Sequence, residues 1–167
     1  RQMCIRDRHI CKSTFRGELT GPNPTDRGKL GTKRHLLTDK NGIPLSVIIT
    51  AANTHDMKAA IRTLESEVLR KRPDDIQNLC LDKGYDFLEI ERQAINRGYT
   101  PHIRHRDEVR KMVKNVHRVR RWVVERTNSW HNRFRKLLVG YEKKVENYLG
   151  LVQLACCVIV YRRTLLG

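Results

Sequence analysis

Acidic residues are scarce in this chain: 18 Asp or Glu stand against 34 Lys or Arg in 167 residues, a formal charge of +16 at neutral pH. Such an imbalance disfavours cationic partners and points to a polyanion, nucleic acid before any other. It implies no sequence specificity, because phosphate contacts supply affinity without reading bases. Long apolar runs are lacking as well. The longest, Leu149 to Tyr161, is interrupted by Gln153 and is too short to span a bilayer, so no membrane partner is expected. No signal peptide is visible. The five cysteines (Cys4, Cys11, Cys80, Cys156, Cys157) form no metal-ligand spacing and leave one unpaired. Cys156 and Cys157 lie in the apolar run and read as reduced core thiols, which fits a cytoplasmic protein.

What is present reads as one α/β domain. Residues 1–8 are set aside, because Met3–Arg8 is similar to the translation of a transposon-end adapter used in sequencing libraries; a non-native scar or disordered tail is expected there. His9–Thr14 reads as the remnant of a first strand, and the Gly- and Pro-rich stretch from Gly17 to Gly31 as a connection. Lys33–Thr38 and Leu45–Thr50 flank Asn41-Gly42, a hairpin signal. His55 and Asp56 offer cap chemistry to a helix over Met57–Arg70, with Ile61, Leu64, Val68 and Leu69 inward. A strand over Ile76–Leu81, a helix stopped at Gly98 and a strand over Tyr99–Ile103 follow. Two further helices complete the chain, one around Glu125 and one over Asn147–Arg163; the last is most simply core, with an oligomer contact as the alternative. Strands alternating with helices indicate a mixed layered sheet.

The helix around Glu125 carries the first chemical signal. Val119, Trp122, Val123, Trp130, Phe134, Leu137 and Leu138 recur at helical spacing and mark a buried side, which places both tryptophans in the core. Arg118, Arg121, Asn128, Ser129 and Asn132 share the other side with Glu125. A lone carboxylate on a basic face suits a group that meets a cation or a phosphate. An ordinary Arg121–Glu125 surface pair, at a few tenths of a kcal/mol, is the plain alternative. The segment His102–Lys136 holds 12 Lys or Arg and 3 acids, a local charge of +9. Asp26, Arg27, Lys29, Lys33 and Arg34 form a second basic stretch, suited to DNA backbone contact or to an ordinary solvated loop.

Asp82 closes the Ile76–Leu81 strand, at the end where open α/β sheets bind ligands. Hard divalent ions take carboxylate oxygens from separate elements, and two such ions suit phosphoryl transfer. About three acids are needed; Asp82 and Glu125 are two.

Gly21–Lys33, Asn53–Asp56, Asp82–Asp86, Arg121–Thr127 and Asn132–Arg135, in that order and spacing, resemble bacterial insertion-sequence transposases of the DDE type, short-element branch. The resemblance runs from His9 to Arg163. It implies a ribonuclease H-like mixed sheet flanked by helices, here with an incomplete first strand, so that residues 9–167 form the C-terminal portion of a catalytic domain. It further implies Mg²⁺- or Mn²⁺-dependent cleavage and strand transfer on double-stranded DNA, at element ends and target, with a homodimer on DNA left open and a nucleoid-associated location. Asp82 and Glu125 match two catalytic, metal-binding acids, and Arg121 matches the arginine of a Y-x2-R-x3-E-x6-K signature. Arg118 stands where Tyr is expected and Asn132 where Lys is, with Arg133 beside it; these residues and Lys33 are the candidate phosphate contacts. The first catalytic Asp belongs at position 6, which is Arg6. Asp7 is one residue out of register, and on a strand that reverses the face unless a bulge intervenes. The triad therefore reads as incomplete and the chain as an inactive fragment. A non-catalytic basic nucleic-acid-binding protein and a ribonuclease H-like nuclease without joining activity are the rivals.

Overall fold

Asp39 and Gly42 fold the chain back on itself. The Asp39 carboxylate accepts from the N–H groups of Asn41 (2.9 Å) and Ile43 (2.8 Å), and Gly42 takes φ +81°, a conformation that costs an L side chain energy. The expected hairpin results. The computed structural model describes residues 2–67, 77–81, 85–103 and 121–166, with 2–9 and Arg121 described by their backbone alone. In chain order these form β1 (Gln2–Ser13), β2 (Gly21–Pro22), β3 (Leu30–Asp39), β4 (Pro44–Ala51), α1 (Asp56–Glu65), β5 (Gln77–Leu81), α2 (Leu88–Asn96), β6 (Tyr99–Ile103), α3 (Arg121–His131), a 3-10 turn (Arg135–Leu137), β7 (Val139–Gly140) and α4 (Val145–Thr164).

The long strands lie in the order β4-β3-β1-β5-β6. β1 is central, antiparallel to β3 and parallel to β5, and β5 is parallel to β6. This is the ribonuclease H-like mixed sheet that the resemblance implied. Both faces are covered, so adjacent residues of one strand enter different cores. Leu37, Leu79 and Leu81 pack with Ala60 and Leu64 of α1 and Ile90 and Ala94 of α2. Leu36 and Cys80 pack on Val124 of α3, and Cys11 and Ile49 on Tyr148, Val152 and Ala155 of α4.

Several expectations need correction. The first strand does not begin at His9: it starts at Gln2, with Met3–Asp7 paired to β3 on one side and Gln2–Ile5 to β5 on the other. α1 ends at Glu65, not Arg70, because Ser66 closes it, its N–H bonded to the Arg62 carbonyl and its hydroxyl to the Thr63 carbonyl. Ile61 is only half-buried, with Ala59, Ala60, Thr63 and Leu64 forming the inward face; Val68 and Leu69 lie outside the described residues. Trp122 (49 % exposed) and Leu138 face solvent, and so does Cys157. α4 buries Tyr148, Val152, Ala155 and Ile159 and leaves Leu154 and Tyr161 exposed.

Two measurements check this packing. Gly42→Ala adds a Cβ 3.0 Å from Thr127 Oγ1 and 3.2 Å from the Val123 carbonyl, in a left-handed conformation. Gly98, which ends α2 at φ +75°, has nothing within 4 Å of such a Cβ. Denaturant titration is expected to show a loss of about 3 kcal/mol for Gly42→Ala and about 1 kcal/mol for Gly98→Ala.

His35 supplies the second. It is fully buried on β3 with Nε2 2.8 Å from Thr50 Oγ1. Burial first, with Lys33 and Arg62 adding and Asp56 opposing, pulls it down to about 4. The folded value lies below the unfolded one, so the unfolded chain binds the proton more readily. Stability is full above about pH 6.5 and falls toward pH 4, by on the order of 2–3 kcal/mol. His35→Gln is expected to flatten that part of the stability–pH curve.

Candidate functional site

α3 is held on three sides, which fixes where Glu125 stands. Val123, Val124, Thr127, Trp130 and His131 are buried. Val124 seats the helix on Leu36 of β3 and Cys80 of β5. The Thr127 hydroxyl donates to the Gly42 carbonyl (2.5 Å) and lies 3.2 Å from the Val123 carbonyl; Arg126 Nη2 donates to the Asn41 carbonyl (2.6 Å). Gly42 is thus needed twice, for its turn and for the approach of α3. At the other end His131 Nε2 lies 3.3 Å from Cys156 Sγ on α4. Glu125, one residue beyond Val124, is exposed on the solvent side of the helix.

The sheet beneath brings the central strand to the same place. Ile5 of β1 is paired with Leu81 of β5, so one step further along come Arg6 and, in sequence, Asp82. Arg6 is opposite Leu36, the residue on which Val124 rests, whereas Asp7 is opposite His35. A register shift does occur, between Asp7 and His9. It follows Asp7 and leaves the Asp7–His35 pairing intact. Position 6, like position 4 opposite Cys80, is therefore a β1 position in register with the α3 contact, and position 7 is not. Asp82 and Arg118 lie outside the described residues, as does the side chain of Arg121.

The other candidates separate. The Lys33 ammonium is turned inward, 2.8 Å from both the Asp56 carboxylate and the Thr54 carbonyl. His55 caps α1, its Nδ1 accepting from the Met57 N–H at 3.3 Å. Asn132 is half-buried and its Oδ1 accepts from Arg34 Nη2 at 3.2 Å, an internal role; Arg133 is exposed. Arg34 is fully buried, not a loop cation for DNA. Its Nε and Nη1 have no hydrogen-bond partner among the described residues, and burial pushes the guanidinium below its ordinary range. The sequence signal for Arg34 was its place in an alternating strand, which a sheet covered on both faces obscures.

One arrangement escaped the sequence reading. The Arg126 guanidinium lies over the Trp122 ring at 4.5 Å and near Trp130 at 5.3 Å, and Arg163 of α4 covers Trp130 at 4.5 Å. The i, i+4, i+8 spacing of Trp122, Arg126 and Trp130 was its signal.

An exposed acid thus stands on a helix locked over the centre of this mixed sheet. The model of the family described as transposase DDE domain matches residues 9–160, and the chain belongs to that family. It is 35 % identical to a Burkholderia cepacia protein assigned as the transposase for insertion sequence element IS402, over 96 % of this chain and 78 % of the relative. A piggyBac transposase synaptic complex with hairpin DNA is a structural neighbour at TM-score 0.44 and 14 % identity, over 68 % of this chain and 24 % of that one. Among the described residues no helix is long and apolar enough to cross a membrane.

Proposed function

We propose that this chain is the catalytic domain of an insertion-sequence transposase, which cleaves phosphodiester bonds at element ends and joins them to target DNA, with Asp82 and Glu125 as two of its carboxylates. The observation that carries this reading is the position of Glu125, exposed on α3 one residue past the Val124 contact with Leu36 and Cys80. Arg121 and Arg133, with the +16 charge of the chain, would hold the phosphates, so binding should weaken steeply with salt.

The divalent ion that DDE chemistry calls for does not fit the donors present. A guanidinium has no lone pair for a cation, and Arg6 occupies a β1 register position beside the α3 contact. The same observation favours a second reading for the chain as it stands: a basic DNA-binding protein that does not cut. A plasmid carrying both element ends, incubated with Mg²⁺, separates the two. The parent chain is expected to bind without nicking, and Arg6→Asp to nick. Asp82→Asn or Glu125→Gln on that background should abolish nicking. Binding without cutting by every variant would leave only the second reading.

A further inference from the structure

Trp122 is the exposed end of the α3 ladder, and the clamp does not account for it. Arg126 bonded to Asn41 and Arg163 over Trp130 suffice to tie α3 to the hairpin and to α4. Trp130 is nearly buried, as a clamp residue should be. Trp122 is 49 % exposed, with the guanidinium of Arg126 against its ring. Large aromatic rings stabilise by being covered, so a half-exposed indole in a fixed orientation suits a ring that arrives from outside. The surroundings define that ring's chemistry. Arg126 stands on Trp122 and reaches the Asn41 carbonyl, next in sequence to the exposed Lys40 at the hairpin tip. A flat π system that also carries negative charge is a nucleotide. Within a duplex its faces are already stacked, so the fitting partner is unpaired.

We propose that Trp122, steadied by Arg126, is a stacking platform for an unpaired base of bound DNA, three residues from Glu125 on the same helix. The platform would take single-stranded or frayed DNA without strong sequence preference, because every base has a π face. It rests on the transposase reading only in taking DNA as the partner.

The chain has two tryptophans, so its fluorescence reads this site directly. Trp130→Phe leaves Trp122 as the single indole; titration with oligothymidylate without divalent ions should quench its emission to saturation. Trp122→Phe leaves Trp130, and its emission should barely change. By anisotropy, Trp122→Ala should weaken single-strand binding about tenfold, duplex binding by about twofold or less, and Trp122→Phe should retain most of the affinity. Tight single-strand binding with Trp122 emission unchanged would overturn the proposal, as would equal losses on single strand and duplex. Should Trp130→Phe fail to fold, the Trp122→Ala and Trp122→Phe affinities decide alone. No cleavage is involved: quenching where even the Arg6→Asp protein never nicks sinks the transposase reading and keeps the platform, and nicking by Arg6→Asp without quenching does the reverse.

Discussion

Arg6→Asp is expected to give the protein a divalent-ion affinity that the parent lacks, read as a rise in melting temperature on adding Mn²⁺. Register is the basis. Ile5 pairs with Leu81, Arg6 stands opposite Leu36, and Leu36 carries Val124, the neighbour of Glu125. An Asp at position 6 would add a hard oxygen donor where the parent has a cation that repels the ion. A ligand present at a hundredfold excess over its Kd stabilises the folded state by about 2.7 kcal/mol. At roughly 2–4 °C per kcal/mol for a domain of this size, that is a shift of about 5–10 °C. The parent should shift by less than about 2 °C. Because Asp7 pairs with His35, Asp7→Asn on the Arg6→Asp background should leave the shift in place. A variant insensitive to Mn²⁺ would remove position 6 from the site.

Asn132→Leu is expected to destabilise the fold where the end of α3 meets β3. Arg34 is fully buried, and the one hydrogen bond of its guanidinium among the described residues goes to Asn132 Oδ1. Removing that acceptor leaves the buried guanidinium without a hydrogen bond among the described residues, a loss of about 2–3 kcal/mol. By the same melting-temperature scale the domain should melt roughly 5–10 °C lower. Arg34→Met removes the charge itself, so the Arg34→Met/Asn132→Leu double variant should be more stable than Asn132→Leu alone. Additive losses in denaturant titrations would show that packing, not the stranded guanidinium, sets the cost. This bond also gives position 132 a structural duty, tying α3 to β3.

The elements that sequence reading located best carry their own local chemistry. Asn41-Gly42 specified a turn, Gly98 ended α2 in a left-handed residue, and His55 capped α1. Errors arose where tertiary packing decides. Helical spacing put Trp122 inside and passed over Val124, because α3 docks at once on the sheet and on α4 and its buried arc is centred past Val123 toward His131. Lys33 and Arg34 looked alike as adjacent basic residues; strand alternation sends one to Asp56 beside α1 and the other under α3 and α4. The apolar run of α4 implied burial throughout, yet one side of that helix faces solvent. Glu125 was legible as a lone acid on a basic face. Its relation to β1 needed the register, which places Arg6 and not Asp7 opposite the strand residue under α3.

The proposed function requires that positions 6, 82 and 125 make one site. Anomalous diffraction from crystals of the Arg6→Asp protein soaked in Mn²⁺ tests it most directly. A manganese peak bounded by the carboxylates of residue 6, Asp82 and Glu125 is expected, with no peak there in the parent. Manganese bound elsewhere, or bound without Glu125, would contradict it.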